Sequence, residues 1–339
     1  MLCGENAAMK FASYFDGTRD GQLVLVSRDL SQAVYPSHIA NRLQQVLDDW
    51  NYLSPQLQDL SDQLNAGRAR HAFAFNAAQC MAPLPRAYQW AHGDGYASHA
   101  AVLREALGAS ADEAADRTPR MVHAAGDALF GARSPMVCRV EAGELDFSAQ
   151  LVVATGDIAQ GSTPERALEG VRLLLLANSA QWRAQGNADA GTAFAPVAVT
   201  TDELGEAWHK GRVNLSLQTS WNGRKVGLCD AGADMTHSFG ALIAQLAQHR
   251  AVRAGTLVGS GTVSSPAVVK AAQKGTQTLR DWPKGYHCIA EKRAMEQLQN
   301  GEASTAYLRV GDTVEIDVKG RDGHSLLGAI SQEVIAQAV

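Results

Sequence analysis

Residues 143–157, with the sequence GELDFSAQLVVATGD, contain the strand around which the rest of the chain is predicted to fold. Apolar and polar residues first alternate and then give way to a continuous apolar run, which is typical of a strand that enters a core from an exposed end. On such a strand Asp146, Ser148 and Gln150 share one face. The stretch closes with a Gly-Asp pair, which is typical of a turn. Three polar side chains on one face indicate a functional site at this end of the strand.

Length and composition limit the class of protein. The chain has 339 residues, of which 46% are hydrophobic and 19% charged, and this predicts a globular protein with one large domain or a large and a small one. A net charge of −5 gives no support for binding to nucleic acid or to an anionic membrane, because both need a basic patch. The five cysteines are scattered without a CxxC motif, which favours reduced thiols in the cytoplasm.

The first part of the chain predicts a small α+β domain. Residues 10–15 and 22–26 have the pattern of a β-hairpin, and helical spacing of apolar residues follows over residues 40–70. Two prolines, Pro83 and Pro85, then predict an extended linker at residues 81–86. We therefore expect one domain over residues 1–80 and a second over residues 81–339.

Strand patterns dominate the second domain, so the predicted fold class is α+β and mainly β. Two helices interrupt the strands: residues 163–176, with Thr163 as N-cap, and residues 238–248, whose apolar stripe predicts core packing. Asn222 and Gly223 predict a type I′ hairpin turn. The predicted strands are residues 136–140, 145–154, 195–199, 213–221, 257–263, 306–310 and 314–318.

Six motifs in chain order together resemble the fumarylacetoacetate hydrolase family, and most of all its bacterial members with a small N-terminal domain. The motifs are LPRAYQW at 84–90, TGD at 155–157, AFAPVAV at 193–199, GSGTVS at 259–264, AEKR at 290–293 and GDTVEI at 311–316. The resemblance implies a mixed β-roll core, a small N-terminal domain and a homodimer. It also implies an enzyme that uses Mg²⁺, Mn²⁺ or Ca²⁺ to cleave, decarboxylate, hydrate or isomerise β-diketo and 2-oxo acids.

This chain departs from the family pattern at the cation ligands. The resemblance assigns His99 to the catalytic histidine, which works with a carboxylate, and it expects four acidic ligands. The positions that match those ligands hold other residues: His92, Ser148, Gln150 and the pair Asn178-Ser179. Asp189 stands where the family has a lysine. Because hard cations need carboxylate oxygens, we expect this chain to bind none of the three ions.

These observations predict an enzyme that acts on a small carbonyl compound, by cleavage, tautomerisation or cyclisation in a specialised biosynthetic pathway, without metal or other cofactor. His99 is the predicted general acid or base, and Ser148 is a candidate nucleophile if His99 lies within hydrogen-bond reach. The predicted substrate-binding residues form a mostly uncharged pocket: His92, Asp94, Tyr96, Gln150, Asn178, Ser179, Arg183 and Thr262.

Other interpretations of the same residues stay open at this point. His92, Asp94 and His99 have a spacing that a zinc or ferrous site could use. The chain could equally be a non-catalytic homologue that binds a ligand or pairs with an active paralogue. Residues 265–284 are either a solvated basic loop or a lid over the pocket.

Two further side chains have a plain structural interpretation beside a functional one. Cys288 is expected to be a small buried hydrophobic side chain. Glu291 either reaches the pocket or forms a structural ion pair.

Overall fold

The fold is taken from a computed structural model, which describes residues 8–109, 118–139, 143–265 and 285–337. The predicted lid lies almost wholly outside these ranges. The strands are Lys10–Tyr14 (β1), Gln22–Val26 (β2), Gln32–Val34 (β3), Phe73–Ala74 (β4), Trp90–Gly93 (β5), Met121–Ala124 (β6), Met136–Cys138 (β7), Leu145–Asp146 (β8), Ala149–Thr155 (β9), Val171–Trp182 (β10), Ala188–Phe194 (β11), Ala198–Thr200 (β12), Trp208–His209 (β13), Arg212–Val213 (β14), Ser216–Trp221 (β15), Arg224–Asp230 (β16), Leu257–Gly259 (β17), Thr313–Lys319 (β18) and Ile330–Ala336 (β19). The α-helices are Leu43–Asp48 (α1), Trp50–Asn65 (α2), Ala97–Ala106 (α3), Pro164–Glu169 (α4), Phe239–Leu246 (α5) and Ile289–Asn300 (α6).

A large mixed sheet forms the centre of the molecule, with strands in the order β4-β3-β2-β1-β12-β10-β9-β17-β5-β6. Strands β8 and β11 also pair with β10. A smaller sheet, in the order β16-β15-β18-β19-β7, lies apart from it in the topology. The predicted fold class, α+β and mainly sheet, is confirmed.

The central strands β9 and β10 are buried on both faces. Leu151 and Val153 of β9 belong to the core that also holds α5 and the smaller sheet. Val152 and Ala154 belong to the core on the opposite face, which α1 and α2 cover. The large sheet is therefore the middle layer of three, and this explains why its central strands are apolar on both faces.

The predicted helix over residues 163–176 is wrong in its second half. Thr163 caps α4 as expected, with its hydroxyl oxygen accepting a hydrogen bond from the Arg166 backbone N–H. The helix ends at Gly170, and β10 begins at Val171. A continuous apolar run fits either a buried helix or a strand buried on both faces, and the three-layer packing selects the strand.

Other local predictions have mixed outcomes. The hairpin of β1 and β2 is present, and Asn222 and Gly223 both have positive φ in the turn between β15 and β16, as a type I′ turn requires. The predicted helix over residues 238–248 is present as α5, and the Ser238 hydroxyl caps it. The strand expected over residues 306–310 is absent from the described chain. Leu308 donates its backbone N–H to the Leu145 carbonyl, but the segment forms no ladder of hydrogen bonds with another strand.

The division at residue 80 stays a prediction. The sheet formed by the first four strands continues into the second predicted domain, because β1 pairs with β12. In the described part of the chain, every helix is too short or too polar to span a bilayer.

Candidate active site

A polar cavity of about 520 Å³ opens beside the ends of β5, β10 and β11 and the start of α3. Seven of the predicted site residues line this cavity: His92, Asp94, Tyr96, His99, Ser179, Arg183 and Thr262. They come from three separate segments of the chain, so the fold brings together residues that the sequence only suggested as a group. The other three, Ser148, Gln150 and Asn178, are buried behind its wall.

His99 faces a buried carboxylate. Its Nδ1 lies 3.6 Å from Oε1 of Glu291, whose side chain is fully buried while that of His99 is 17% exposed. The two residues meet because α3 packs against α6 through Val102, Ala294 and Met295. Since the His99 ring also lines the cavity, the pair joins a buried negative charge to a group that can exchange protons with a ligand.

Asp146 holds α6 in place. Its carboxylate accepts hydrogen bonds from the backbone N–H groups of Ile289 at 2.6 Å and Ala290 at 2.9 Å, so it caps a helix remote in sequence. Arg183 pairs with the same carboxylate at 2.9 Å. Burial raises the pKa of Asp146, and the Arg183 guanidinium and the two N–H groups oppose that shift. Asp146 and Arg183 thus position the helix that carries Glu291.

The polar residues behind the wall are hydrogen-bonded to neighbouring residues of the protein. Ser148 Oγ lies 2.7 Å from Thr262 Oγ1, and the Ser148 N–H donates to Asn178 Oδ1 at 2.9 Å. Gln150 donates from Nε2 to Ser179 Oγ at 2.6 Å and accepts from the Gly261 N–H at 3.1 Å. The candidate nucleophile Ser148 therefore has Thr262 as its hydroxyl partner and is only 3% exposed.

His92 forms part of the cavity wall and stacks on Trp90, with ring centroids 5.7 Å apart. Burial lowers the pKa of His92, while the carboxylates of Asp189 and Asp94 act in the opposite direction. A neutral imidazole is therefore favoured at this position near pH 7.

Tyr96 and Asp94 both line the cavity but differ in how far their polar groups are available to a ligand. The Tyr96 hydroxyl donates to the Ala231 carbonyl at 2.6 Å, so it is engaged with backbone. Asp94 is exposed at the cavity and is free to meet solvent or ligand with its side chain.

The residues at the expected cation positions do not fit Mg²⁺, Mn²⁺ or Ca²⁺. They offer imidazole, hydroxyl and amide groups where such ions need several carboxylates, and the hydroxyls and amide of Ser148, Gln150 and Ser179 are already hydrogen-bonded to protein. Asp189 lines the cavity, but its carboxylate accepts from the N–H groups of Gly191 and Ala125. No catalytic step is therefore assigned to a hard cation.

The alternative metal site of His92, Asp94 and His99 is not assembled. Within the described ranges, the group of possible metal ligands whose atoms all lie within 4.8 Å of one another is instead His99, Cys288 and Glu291. Cys288 is fully buried, as predicted, and burial raises the pKa of its thiol well above the usual value.

Several residues of the site were not predicted. For Glu291 the sequence left two interpretations open, a place at the pocket or a structural ion pair. The helix that carries it was not predicted. Its signals in the sequence are an acidic residue in the first turn and Gly301 at the helix end. Four cationic or titratable side chains that line the cavity carry no motif that would have placed them there: Arg104, Arg120, His123 and His237.

The fold and cavity define a sheet-rich α+β protein with acid–base side chains in a polar pocket. Residues 9–86 match the family described as fumarylacetoacetase N-terminal domain 2, and residues 89–335 match the one described as fumarylacetoacetate (FAA) hydrolase C-terminal. The chain therefore belongs to the fumarylacetoacetate hydrolase family, as its motifs predicted. No curated protein matches the sequence.

Solved structures share the fold over almost the whole chain. Fumarylacetoacetate hydrolase from Exiguobacterium antarcticum is 16% identical with a TM-score of 0.65, over 97% of this chain and 100% of that one. Maleylpyruvate hydrolase from Sphingobium sp. SYK-6, solved with manganese(II) and pyruvate, is 14% identical with a TM-score of 0.64 and the same coverage. 2-Hydroxyhepta-2,4-diene-1,7-dioate isomerase from Mycobacterium marinum is 13% identical with a TM-score of 0.58, over 98% and 100%.

Proposed function

We propose that this chain is an enzyme that moves a proton on a small 2-oxo or β-diketo compound, using His99 as the acid or base and no hard divalent cation. The observation that carries the proposal is the 3.6 Å approach of His99 Nδ1 to the buried Glu291 carboxylate at the cavity. With Nδ1 turned to Glu291, Nε2 is left for the ligand. The carboxylate would stabilise the imidazolium that forms when the ring takes a proton.

The composition of the cavity supports the substrate class. Arg104 and Arg120 line it together with His99, and guanidinium groups are well suited to hold a substrate carboxylate. The membership of the family supports carbonyl chemistry, since named relatives of the same fold are hydrolases and isomerases. The absence of carboxylates at the expected ligand positions supports a reaction without Mg²⁺, Mn²⁺ or Ca²⁺.

The test measures the first step of such a reaction. Pyruvate is incubated with the protein in D₂O containing a chelator, and loss of the methyl proton signal reports removal of a C–H proton and its replacement by deuterium. We expect exchange above the buffer rate, reduced by roughly 100-fold or more in His99→Ala, since a positioned acid–base group contributes about 10²–10⁴. His209→Gln, at an exposed histidine that does not line the cavity, is the matched control and should retain exchange.

Two outcomes contradict the proposal. Exchange that requires added Mn²⁺ would show that the hard cation is used after all. If pyruvate, oxaloacetate and acetylpyruvate all exchange at the buffer rate while one of them raises the melting temperature, the chain is a non-catalytic binding protein. The hydrogen bonds that already engage Ser148 with Thr262 and Gln150 with Ser179 also favour this alternative.

A further inference from the structure

Glu291 and His99 leave polar atoms unpaired in a buried place. Glu291 Oε2 and His99 Nδ1 are both inaccessible to solvent, and neither has a hydrogen-bond partner among the residues that the structure describes. An unpaired buried carboxylate oxygen is costly, so the arrangement points to a ligand that would satisfy it. The third nearby donor is the Cys288 sulfur, within 4.8 Å of both groups.

We infer that His99, Cys288 and Glu291 form a binding site for a borderline or soft divalent cation, of which Zn²⁺ is the representative. Nitrogen, sulfur and carboxylate ligands are the set that zinc prefers, and Mg²⁺ and Ca²⁺ do not use thiolates. On binding, a metal–sulfur bond forms and the Cys288 thiol proton is released to solvent. The resulting thiolate and carboxylate balance the two positive charges, so the buried centre carries no net charge.

The surroundings fit such a site. Ser264 donates a hydrogen bond from its hydroxyl to Glu291 Oε1, which orients the carboxylate as a supporting shell does around metal ligands. A tetrahedral zinc at about 2.0–2.3 Å from its ligands needs them roughly 3.3–3.8 Å apart, and the His99–Glu291 pair already lies at 3.6 Å. Since His99 lines the cavity, the fourth ligand would come from the cavity side.

The site has a consequence that rests on the proposed function. A cation bound to His99 and Glu291 occupies the same groups that would move the substrate proton, so Zn²⁺ should inhibit the exchange reaction. Zinc binding itself does not depend on that activity, and the two can fail separately.

Cobalt(II) is the probe, because a cobalt–thiolate bond gives an intense near-ultraviolet charge-transfer band. The full chain, stripped with chelator, is titrated with Co²⁺ alone and then with Zn²⁺. We expect a band that saturates at one Co²⁺ per chain and is displaced by Zn²⁺. Cys288→Ser should abolish the band and still fold, because Cys288 Sγ accepts from the Glu291 N–H at the start of α6 and serine is a favoured N-cap.

Two other cysteines supply the controls. Cys229→Ser removes the thiol next to His287, at 3.1 Å from Nε2, and Cys138→Ser removes a buried thiol in the smaller sheet. Both variants should keep the band. A wild-type protein without the band, or a band that persists in Cys288→Ser or vanishes in Cys229→Ser, would overturn the site. If the band behaves as expected and no exchange activity exists to inhibit, the site stands and the proposed function fails.

Discussion

At the scale of single residues, the cavity is distinguished by uncharged side chains at positions where the family resemblance expects carboxylates. Gln150 and Ser179 stand where the family resemblance expects carboxylates, and they bind each other at 2.6 Å. Each satisfies the other's hydrogen-bonding group, so the wall is stable without any cation. This makes the proposed loss of the hard-cation site open to a direct test.

Four substitutions should rebuild a cation site: His92→Asp, Ser148→Glu, Gln150→Glu and Ser179→Asp. Carboxylates at 150 and 179 would repel each other in the metal-free variant, and Mn²⁺ would relieve the repulsion. We expect a metal-dependent rise in melting temperature of a few degrees in millimolar Mn²⁺, since a ligand that binds the native state stabilises it by about RT ln(1 + [L]/Kd). Single substitutions should show little effect.

The matched control for this variant replaces the new carboxylates with amides: His92→Asn, Ser148→Gln and Ser179→Asn, with Gln150 kept. It should fold without any response to Mn²⁺. A quadruple variant that folds normally and shows no metal-dependent stabilisation would mean that these positions do not correspond to the family's ligands.

His92 gives a prediction about pH. Because burial lowers its pKa below the ordinary 6.5, the unfolded chain binds a proton first as the pH falls. Its contribution to stability is therefore complete above about pH 6.5 and is lost as the pH falls from there towards the folded-state pKa. A histidine NMR titration should place the His92 pKa below 6.5.

The carboxylate of Asp189 determines the direction in which the His92 pKa should change in a second measurement. Asp189 raises its pKa, so Asp189→Asn should move the titration to still lower pH. Asp59→Asn, on α2 and away from the cavity, should leave it unchanged. A His92 pKa at or above the ordinary value, or an upward shift in Asp189→Asn, would contradict this interpretation.

At the scale of elements, α6 depends on a capping residue from β8. Asp146→Ala would remove two hydrogen bonds to the start of α6 and leave Arg183, whose side chain is 11% exposed, without its ion-pair partner. Breaking a buried ion pair in this way costs about 3–5 kcal/mol. We expect urea unfolding to show a loss of that order, together with loss of any activity that needs Glu291 in place.

An exposed ion pair provides the control for Asp146. Glu169 and Arg166 pair at 3.6 Å on the surface of α4, with both side chains largely in solvent. Glu169→Ala should change stability by no more than about 0.5 kcal/mol. A similar small change in Asp146→Ala would show that α6 does not rely on this cap.

Elements defined by local chemistry could be predicted from the sequence, and elements chosen by packing could not. The Asn222-Gly223 turn, the Thr163 cap and the hairpin of β1 and β2 follow from residues close together in the chain. Whether the apolar run after Gly170 becomes helix or strand depends on burial of both its faces, which only the three layers determine.

The residues of the candidate site also divide into those that could be predicted from the sequence and those that only packing brings together. Polar residues on the predicted strand could be identified because their alternation places them on one face, and His99 could be identified from the family resemblance. The partner of His99 could not, since Glu291 lies almost two hundred residues away and reaches it through the contact of α3 with α6. That contact rests on Val102 and Met295, which carry no signal beyond hydrophobicity.

At the scale of the whole molecule, the family resemblance leads us to expect a two-fold homodimer. Light scattering at micromolar concentration should report twice the chain's mass of 36.0 kDa. Phe130 and Val137 are candidates for the interface, because both are exposed and line one small cavity beside the edge strand β7. Burying such a patch would stabilise the dimer.

A pair of matched variants locates the interface. Val137 on β7 is 45% exposed, and Leu228 on β16, at the opposite edge of the smaller sheet, is 46% exposed. Val137→Arg should give monomers and Leu228→Arg should not. A monomeric wild type would reject the dimer, and a dimeric Val137→Arg would reject this location.

The pairing of β1 with β12 has a consequence for synthesis on the ribosome. Roughly 180 residues separate the two strands, so at about 5–20 residues per second the outer edge of the nascent β1–β2 hairpin stays unpaired for roughly ten to forty seconds. An unpaired strand edge can pair with strands of other chains and aggregate, and a lysine on the edge disfavours that pairing. Lys10, whose buried Nζ finally donates to the Leu326 carbonyl, would protect that edge during translation. Lys10→Met should then aggregate more than wild type in cell-free synthesis while refolding equally well after purification, and equal aggregation would refute this role.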